Sequence, residues 1–490
     1  MADDTGNLQG RLIGKPATRI EGALKVTGQA RFASDEAPAN PAYAVLVTSA
    51  IARGRVRGMK LDAARAVPGV LDILTHANVG SEIKPPIGPD QGPTTTTMES
   101  DRVWHDGQII GIVLADTYEA AREAAYRVTV DYETETPSAT FDSPGAETEP
   151  KKATPESPPP AKGDAAAAFA SAAVKVDARY STPAQHHNPM ELFTTTCVWE
   201  GPKLTIYEPT QSMYGLRGAV ARQLGLDPAN VRTVSRYVGG GFGSRGSATA
   251  RTAWIAVAAR RLKRPVKLVP TRAQGFTIAT YRAETRHHLQ LGADRRGKLV
   301  SLSHEGWEVT SRPSKYNVSG TATTARMYAS PNIATKVSVV HADRNTPGFM
   351  RAPPDTPYMF ALECGMDELA YALEMDPVEL RRINDTQTDP VDGKPFSSRA
   401  LMKCFDQAAA RFGWAKRNPK PGSMRDGDWL VGLGCATSCY PSNIGPAAAR
   451  LSLTPQGKAT IQMAGHEIGT GAYTVVAIVV ADRLGLRIED

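Results

Sequence analysis

The chain has 490 residues, 41% of them hydrophobic, which is enough to bury more than one core and excludes a single compact unit. Lys and Arg number 57 against 50 Asp and Glu, a formal charge of +7, but the basic residues are scattered, which reads as a solvated surface and not as a nucleic-acid footprint. Five cysteines, Cys197, Cys364, Cys404, Cys435 and Cys439, form an odd, widely spaced set without a Cys-x-x-Cys pair, so neither a disulfide framework nor an iron–sulfur site is expected, and the thiols read as ordinary buried ones.

The start, Met-Ala-Asp-Asp-Thr-Gly-Asn, has neither the basic nor the apolar part of a secretory signal, so the sequence's own address is the cytoplasm. Residues 28–132 mix strand-like runs (42–47, 70–75, 109–115, 128–132) with helical ones (62–67, 118–127), the pattern of a small α+β domain. Residues 143–163 turn to Pro, Glu, Lys and Ala, including Pro158-Pro-Pro160, and predict an exposed linker. Strands at 174–180, 197–199 and 204–207 then lead to a strand at 231–238 and an Ala-rich helix at 249–262. A helix at 358–373 precedes a second in which Asp376 caps, Pro377 takes the first position and Glu379 reaches back to the cap. A second linker is expected at 414–428, followed by strands at 430–433, 449–453 and 459–463. The most apolar stretch, 473–481, is too short to span a bilayer, so no membrane is expected.

The run Arg236-Tyr-Val-Gly-Gly-Gly-Phe-Gly-Ser-Arg245 carries the chemistry. Its four glycines, between a strand and a helix, let backbone amides approach an anionic ligand; a tight turn alone demands one or two. Gly241, Gly243 and Gly246 also satisfy G-x-G-x-x-G, which keeps an NADP-binding oxidoreductase as a reading, with Arg260, Arg261, Lys263 and Arg264 available to a 2′-phosphate. Against it, no Asp or Glu occurs between Gly246 and Glu284 to hold a ribose. His186 and His187 are adjacent, point to opposite faces of a strand and make a poor shared metal site. Glu363 and Asp367 share a helix face with Glu368 nearby, and read as structural or cofactor-adjacent.

Thr210-Gln211, Val238-Gly-Gly-Gly-Phe-Gly243, Met350-Arg-Ala-Pro353, Ala361-Leu-Glu-Cys-Gly-Met-Asp-Glu-Leu-Ala370 and Gly469-Thr-Gly471 occur in the order of the xanthine dehydrogenase/aldehyde oxidase family. The chain resembles that family's molybdenum-binding large subunit, above all that of bacterial periplasmic-type aldehyde oxidoreductases, which share Gly-Thr-Gly where other members carry Gly-Gln-Gly. The resemblance implies a multidomain α+β fold. Its parts would be an α/β hammerhead-type domain at 20–138, a Pro-rich linker at 139–170, a first molybdopterin-binding domain at 171–410 and the incomplete start of a second at 428–490. It implies a molybdenum–molybdopterin cofactor, held through the pterin dithiolene with no protein metal ligand, and leaves open whether the pterin carries a cytosine dinucleotide. The 2Fe-2S clusters and FAD would sit on an iron–sulfur subunit and a FAD subunit of a heterotrimer, which could also carry the chain to the periplasm.

Carried over by residue, Gly240, Gly241, Phe242 and Gly243 would cradle the cofactor, with Phe242 beside the metal. Gln211 would donate a hydrogen bond to an oxygen on molybdenum, and Arg351, next to Ala352, would stabilise charge on the substrate. Gly469, Thr470 and Gly471 would close over the pterin, and Glu191 matches a family position with a supporting role. Three departures matter. Pro354 replaces a glycine after Arg351-Ala-Pro353 and puts the geometry of that loop in question. Gly246 stands where purine-hydroxylating relatives place a Glu, and Arg245 stands for their Lys, so the implied substrate is an aldehyde, aromatic or bulky, oxidised to a carboxylic acid. The family's general-base Glu belongs to a Gly-x-Gly-Glu-type motif beyond Asp490, so the 490-residue chain alone is expected to be inactive: a truncated subunit or, alternatively, a remnant acting as an assembly or interaction module.

Overall fold

The computed structural model describes residues 12–79, 82–83, 98–151, 158–314, 316–440 and 445–490, so residues 1–7, read above for a signal, lie outside it. Two large sheets organise the chain. The first has seven strands in the order Val231–Val234, Lys203–Tyr207, Thr195–Glu200, Val266–Leu268, Ala42–Thr48, Ile109–Ala115, Val70–Thr75. Its seam is the parallel pairing of Ala42, Tyr43 and Ala44 with Val266, Lys267 and Leu268, so segments expected in separate domains share one sheet. Ile109–Ala115 is apolar throughout and buried at every position, as a strand covered on both faces must be. The helices Met213–Leu224 and Ala250–Leu262 cover one face through Leu216, Val220, Trp254 and Ile255, against Leu46, Leu114, Leu204 and Ile206. Tyr118–Arg127 covers the other through Ala121 and Ala124; the Thr117 hydroxyl accepts the Ala120 amide at 3.1 Å and starts that helix.

The second sheet runs Glu147–Pro150, Ile333–Ala342, Leu299–Ser311, Thr285–Ala293, Val174–Thr182, with Ala161–Lys162 also paired to Ile333–Ala342. Alternating burial along Thr285–Ala293 turns Leu289 and Leu291 onto the long helix Asp355–Ala372, whose Leu362, Met366 and Leu369 complete a second core. Residues 139–170, expected as a linker, are tied to this sheet: two short strands pair with its edge and the helix Ala165–Ser171 buries Ala165. Proline and charge there fit an edge strand, where one face and one hydrogen-bonding side stay in water.

Three further expectations need correction. The strand expected at 231–238 ends at Val234, because the chain must turn out of the sheet into the glycine run. Asp376 caps its helix through the amides of Val378 and Glu379, but the Glu379 carboxylate faces Arg382 at 3.3 Å and does not return to the cap. The second linker, 414–428, contains a short 3-10 turn and one strand of the hairpin Met424–Asp426/Trp429–Val431. A further hairpin, Ala449–Leu453/Ala459–Met463, and the helix Ala472–Leu484 end the chain. No helix among the described residues is long and apolar enough to cross a membrane.

Candidate functional site

Lys203–Tyr207 and Val231–Val234 are adjacent parallel strands, and each leaves the sheet at its carboxyl end into a loop that opens a helix. Ligands of open α/β sheets bind in that kind of crevice. The first loop carries Gln211 and the second the glycine run. They are joined twice: the Gln211 amide donates to the Arg245 carbonyl at 2.9 Å, and Gln211 Oε1 accepts the Gly243 amide at 2.9 Å. A Cβ on Gly239 would stand 2.5 Å from Glu191 Cβ, so that glycine is required by close approach, and one on Gly241 would stand 2.5 Å from Gln211 Oε1 and displace that side chain. The amides of Gly240, Gly241 and Phe242 donate to nothing among the described residues. Three neighbouring unused donors in a glycine-rich cradle fit the oxygen atoms of a bound anionic cofactor. Phe242 holds a left-handed conformation (φ +53°) with its ring 45% exposed.

Glu191 fixes this loop from beneath. Its Oε2 accepts the Gly239 amide at 2.8 Å and its Oε1 accepts the Ser34 hydroxyl at 2.9 Å. Arg245, which stands for the relatives' Lys, is buried. It donates to the carbonyls of Glu191, Leu192 and Pro209, lies 3.8 Å from the Glu191 carboxylate and stacks on Phe193 at 4.9 Å. Burial lowers its pKa to about 10, with Glu191 opposing the shift, so it remains a cation. Lysine and arginine differ here because the planar fork reaches several carbonyls at once. The space beside Gly246 meets the Phe349 ring, 3.9 Å from where a Cβ would stand.

The loop bearing Arg351 packs on the glycine run from the opposite side. The Arg351 amide donates to the Phe242 carbonyl at 2.8 Å, and the Phe349 carbonyl abuts Gly243 while accepting from His187 Nε2 at 2.7 Å. Ala352 takes φ +54°. Pro354 settles the question raised by its sequence: it occupies the N-cap of Asp355–Ala372, where a helix has no use for the missing amide hydrogen. The Arg351 side chain is exposed and makes no hydrogen bond or ion pair among the described residues. Behind it, buried Arg282 donates from its two terminal nitrogens to the carbonyls of Met350, Arg351, Ala352 and Pro353, at 3.2, 2.6, 3.2 and 3.1 Å. No local motif announces Arg282, which sits in the unremarkable run Tyr281-Arg-Ala-Glu-Thr-Arg286.

Gly469, Thr470 and Gly471 form a turn held by Glu467. Glu467 Oε1 accepts the Gly469 amide at 2.8 Å and the Gly471 amide at 3.4 Å, and lies 3.3 Å from Lys25 Nζ. Burial opposes ionisation of Glu467, but the Gly469 amide and Lys25 outweigh it and hold its pKa below the usual carboxylate value. The turn is tied to the glycine region twice: His466 Nε2 accepts the Met213 amide at 2.8 Å, and the Tyr473 hydroxyl donates to the Arg236 carbonyl at 2.8 Å. Gln211, residues 240–243, Arg351 and Ala352 are therefore joined by direct hydrogen bonds between their loops, and the segment bearing residues 469–471 is tied to the same two loops through His466 and Tyr473.

The remaining candidates fall elsewhere. Glu363 is buried with Arg381 at 2.8 Å, Tyr328 and the Thr437 amide, while Asp367 also pairs with Arg381, a structural assembly. Glu368 accepts from Tyr180 at 2.8 Å. His186 stacks on Tyr281. The arginines that a 2′-phosphate reading needs are occupied: Arg260 and Arg261 by Glu82, Arg264 by Asp116. Of the cysteines only Cys197 is buried; Cys404 and Cys439 are exposed.

Three family models match in chain order: the aldehyde oxidase and xanthine dehydrogenase a/b hammerhead domain at 27–136, and molybdopterin cofactor-binding domains at 147–385 and 407–490. The chain belongs to the xanthine dehydrogenase/aldehyde oxidase family. It carries that family's hammerhead domain followed by molybdopterin cofactor-binding domains. It is 38% identical over 484 residues to the aldehyde oxidoreductase molybdenum-binding subunit PaoC of Escherichia coli, a match covering 98% of this chain and 65% of the relative. It is 29% identical to the xanthine dehydrogenase molybdenum-binding subunit of Escherichia coli O157:H7, covering 96% of this chain and 66% of the relative. The aldehyde oxidoreductase of Desulfovibrio gigas has the same fold, with a TM-score of 0.81 at 23% identity over 99% of this chain and 56% of that one. The chain thus spans about two thirds of the length of these curated relatives.

Proposed function

We propose that the chain is the molybdenum-cofactor subunit of an oxidoreductase that converts aldehydes, aromatic or bulky ones foremost, to carboxylic acids. The convergence of three unused amides (Gly240, Gly241, Phe242), Gln211, the uncommitted Arg351 and the 469–471 turn at one crevice carries this reading. Gly240, Gly241, Phe242 and Gly243 with Gly469, Thr470 and Gly471 would hold the molybdenum–pterin cofactor, and Ala352 would line it. When bound, that group supplies the two-electron oxidation of the aldehyde carbon.

The protein's share is binding, orientation and electrostatics. Because Gln211 Oε1 is committed to the Gly243 amide, its NH2 is the end left to donate toward the cofactor. Arg351 offers an unpaired guanidinium to the aldehyde oxygen, which gains negative charge as its carbon is attacked. Gly246 offers no carboxylate to a purine, and the neighbouring Phe349 ring adds none, which favours an aldehyde. Electrons would leave to an iron–sulfur subunit, with a FAD subunit beyond it; relatives described as molybdenum-binding subunits support such an assembly. The test is turnover by the assembled enzyme with an artificial electron acceptor. Oxidation of benzaldehyde without oxidation of hypoxanthine is expected; hypoxanthine turnover without aldehyde turnover overturns the reading.

A further inference from the structure

The carbonyls of Met350, Arg351, Ala352 and Pro353 all converge on one guanidinium. Four carbonyl dipoles aimed at a common point repel one another unless a cation stands there. The curl that produces this convergence includes a left-handed alanine, Ala352, and two consecutive prolines, so the chain is not held in it by local preference. Arg282 is 6% exposed and has no carboxylate within ion-pair distance among the described residues, so those carbonyls are what solvates its charge. Its backbone is fixed independently, by reciprocal hydrogen bonds with Gln185 at 2.8 and 3.2 Å. The loop it holds is the one whose Arg351 amide meets the Phe242 carbonyl.

We propose that Arg282 is the positioning residue for Arg351: its four-carbonyl clasp fixes the 350–353 loop against the glycine run and so sets where the Arg351 guanidinium stands. Lysine cannot replace it, since its three donors around a point charge cannot serve four carbonyls at once. The inference rests on the proposed role of Arg351, and its test separates the two.

In the assembled enzyme, Arg282→Lys is compared with Arg351→Lys and the double variant. A one-ångström displacement of an orienting group costs up to about a hundredfold in rate. The expected result is a loss of about ten- to a hundredfold in kcat for benzaldehyde in Arg282→Lys, with KM changed less than about threefold. The double variant should lose no more than Arg351→Lys alone, because both substitutions act through one group. Multiplicative losses, or an Arg282→Lys enzyme within about twofold of the parent, overturn the proposal. Amide hydrogen exchange gives a readout that does not need turnover. In Arg282→Lys the Arg351 amide should exchange at least about tenfold faster while the Asp355–Ala372 helix is unchanged; equal protection of Arg351 in both proteins overturns the clasp even if no aldehyde is a substrate. Absence of aldehyde turnover by the parent, with loosening of the loop in the variant, would contradict the proposed function and leave the clasp standing.

Discussion

Gln211 Oε1 accepts the amide hydrogen of Gly243 at 2.9 Å, and that bond joins the loops leaving two neighbouring parallel strands. The same side chain fills the space where any residue larger than glycine at 241 would put its Cβ. Gly241→Ala should therefore push Gln211 aside and open the cradle. Molybdenum and pterin content of the purified enzyme should fall at least about tenfold, a loss typical of disturbing the groups that orient a metal site. Gly432→Ala, at a position with nothing within 4 Å of the added carbon, should retain both.

Glu191 serves the Gly239 amide, the Ser34 hydroxyl and the Arg245 cation together. Glu191→Ala leaves a buried cation without its carboxylate and a loop amide without its acceptor, at a cost of about 3 kcal/mol. The denaturant midpoint should drop with an unchanged slope. A midpoint within error of the parent would mean that the contact contributes nothing.

Glu363 and Arg381 form a buried pair that also receives the Thr437 amide and the Tyr328 hydroxyl, and so ties the helix Asp355–Ala372 to the chain beyond residue 430. Glu363→Ala should cost about 4 kcal/mol, while Asp367→Ala, with its half-exposed carboxylate on the same arginine, should cost under about 1 kcal/mol. Unfolding midpoints of the two variants compare them directly.

His287 and His304 lie in the second sheet, 3.1 Å apart through Nδ1 and Nε2, with Thr285, Thr324 and Tyr358 around them and Glu308 bonded to Tyr358 at 2.6 Å. Burial lowers the pKa of His287 to about 4 and that of His304 well below its usual value. Well above pH 6.5 both the folded and the unfolded state leave them neutral. As pH falls from 6.5 toward 4 the unfolded chain takes up protons that the folded chain refuses, so stability falls with pH, by about 2 kcal/mol for His287 at pH 5. His287→Gln should lose less stability between pH 7.5 and 5 than the parent; equal losses in calorimetric Tm would contradict this.

The loops of the candidate site stood out in the sequence because each carries a short glycine- or proline-marked motif: 239–243, 351–353 and 469–471. Their gathering was implied by resemblance, and the contacts of His466 with Met213 and of Tyr473 with Arg236 give it a geometry. What stayed hidden depends on partners far apart in the chain. Arg282 reaches residues about seventy positions away, and Ser34 meets Glu191 across the seam between two segments of one sheet. The burial of Arg245 was not legible either, because its place in a motif says nothing of whether its side chain turns toward ligand or core. The stretch 139–170 looked like a linker because edge strands and linkers share proline and charge.

The most direct test of the account is an anomalous-scattering map at the molybdenum edge from crystals of the assembled enzyme. A single strong peak in the crevice bounded by Gln211, Phe242, Arg351 and residues 469–471 is predicted. A molybdenum peak elsewhere in the chain, or a fully assembled and active enzyme with none, would contradict it.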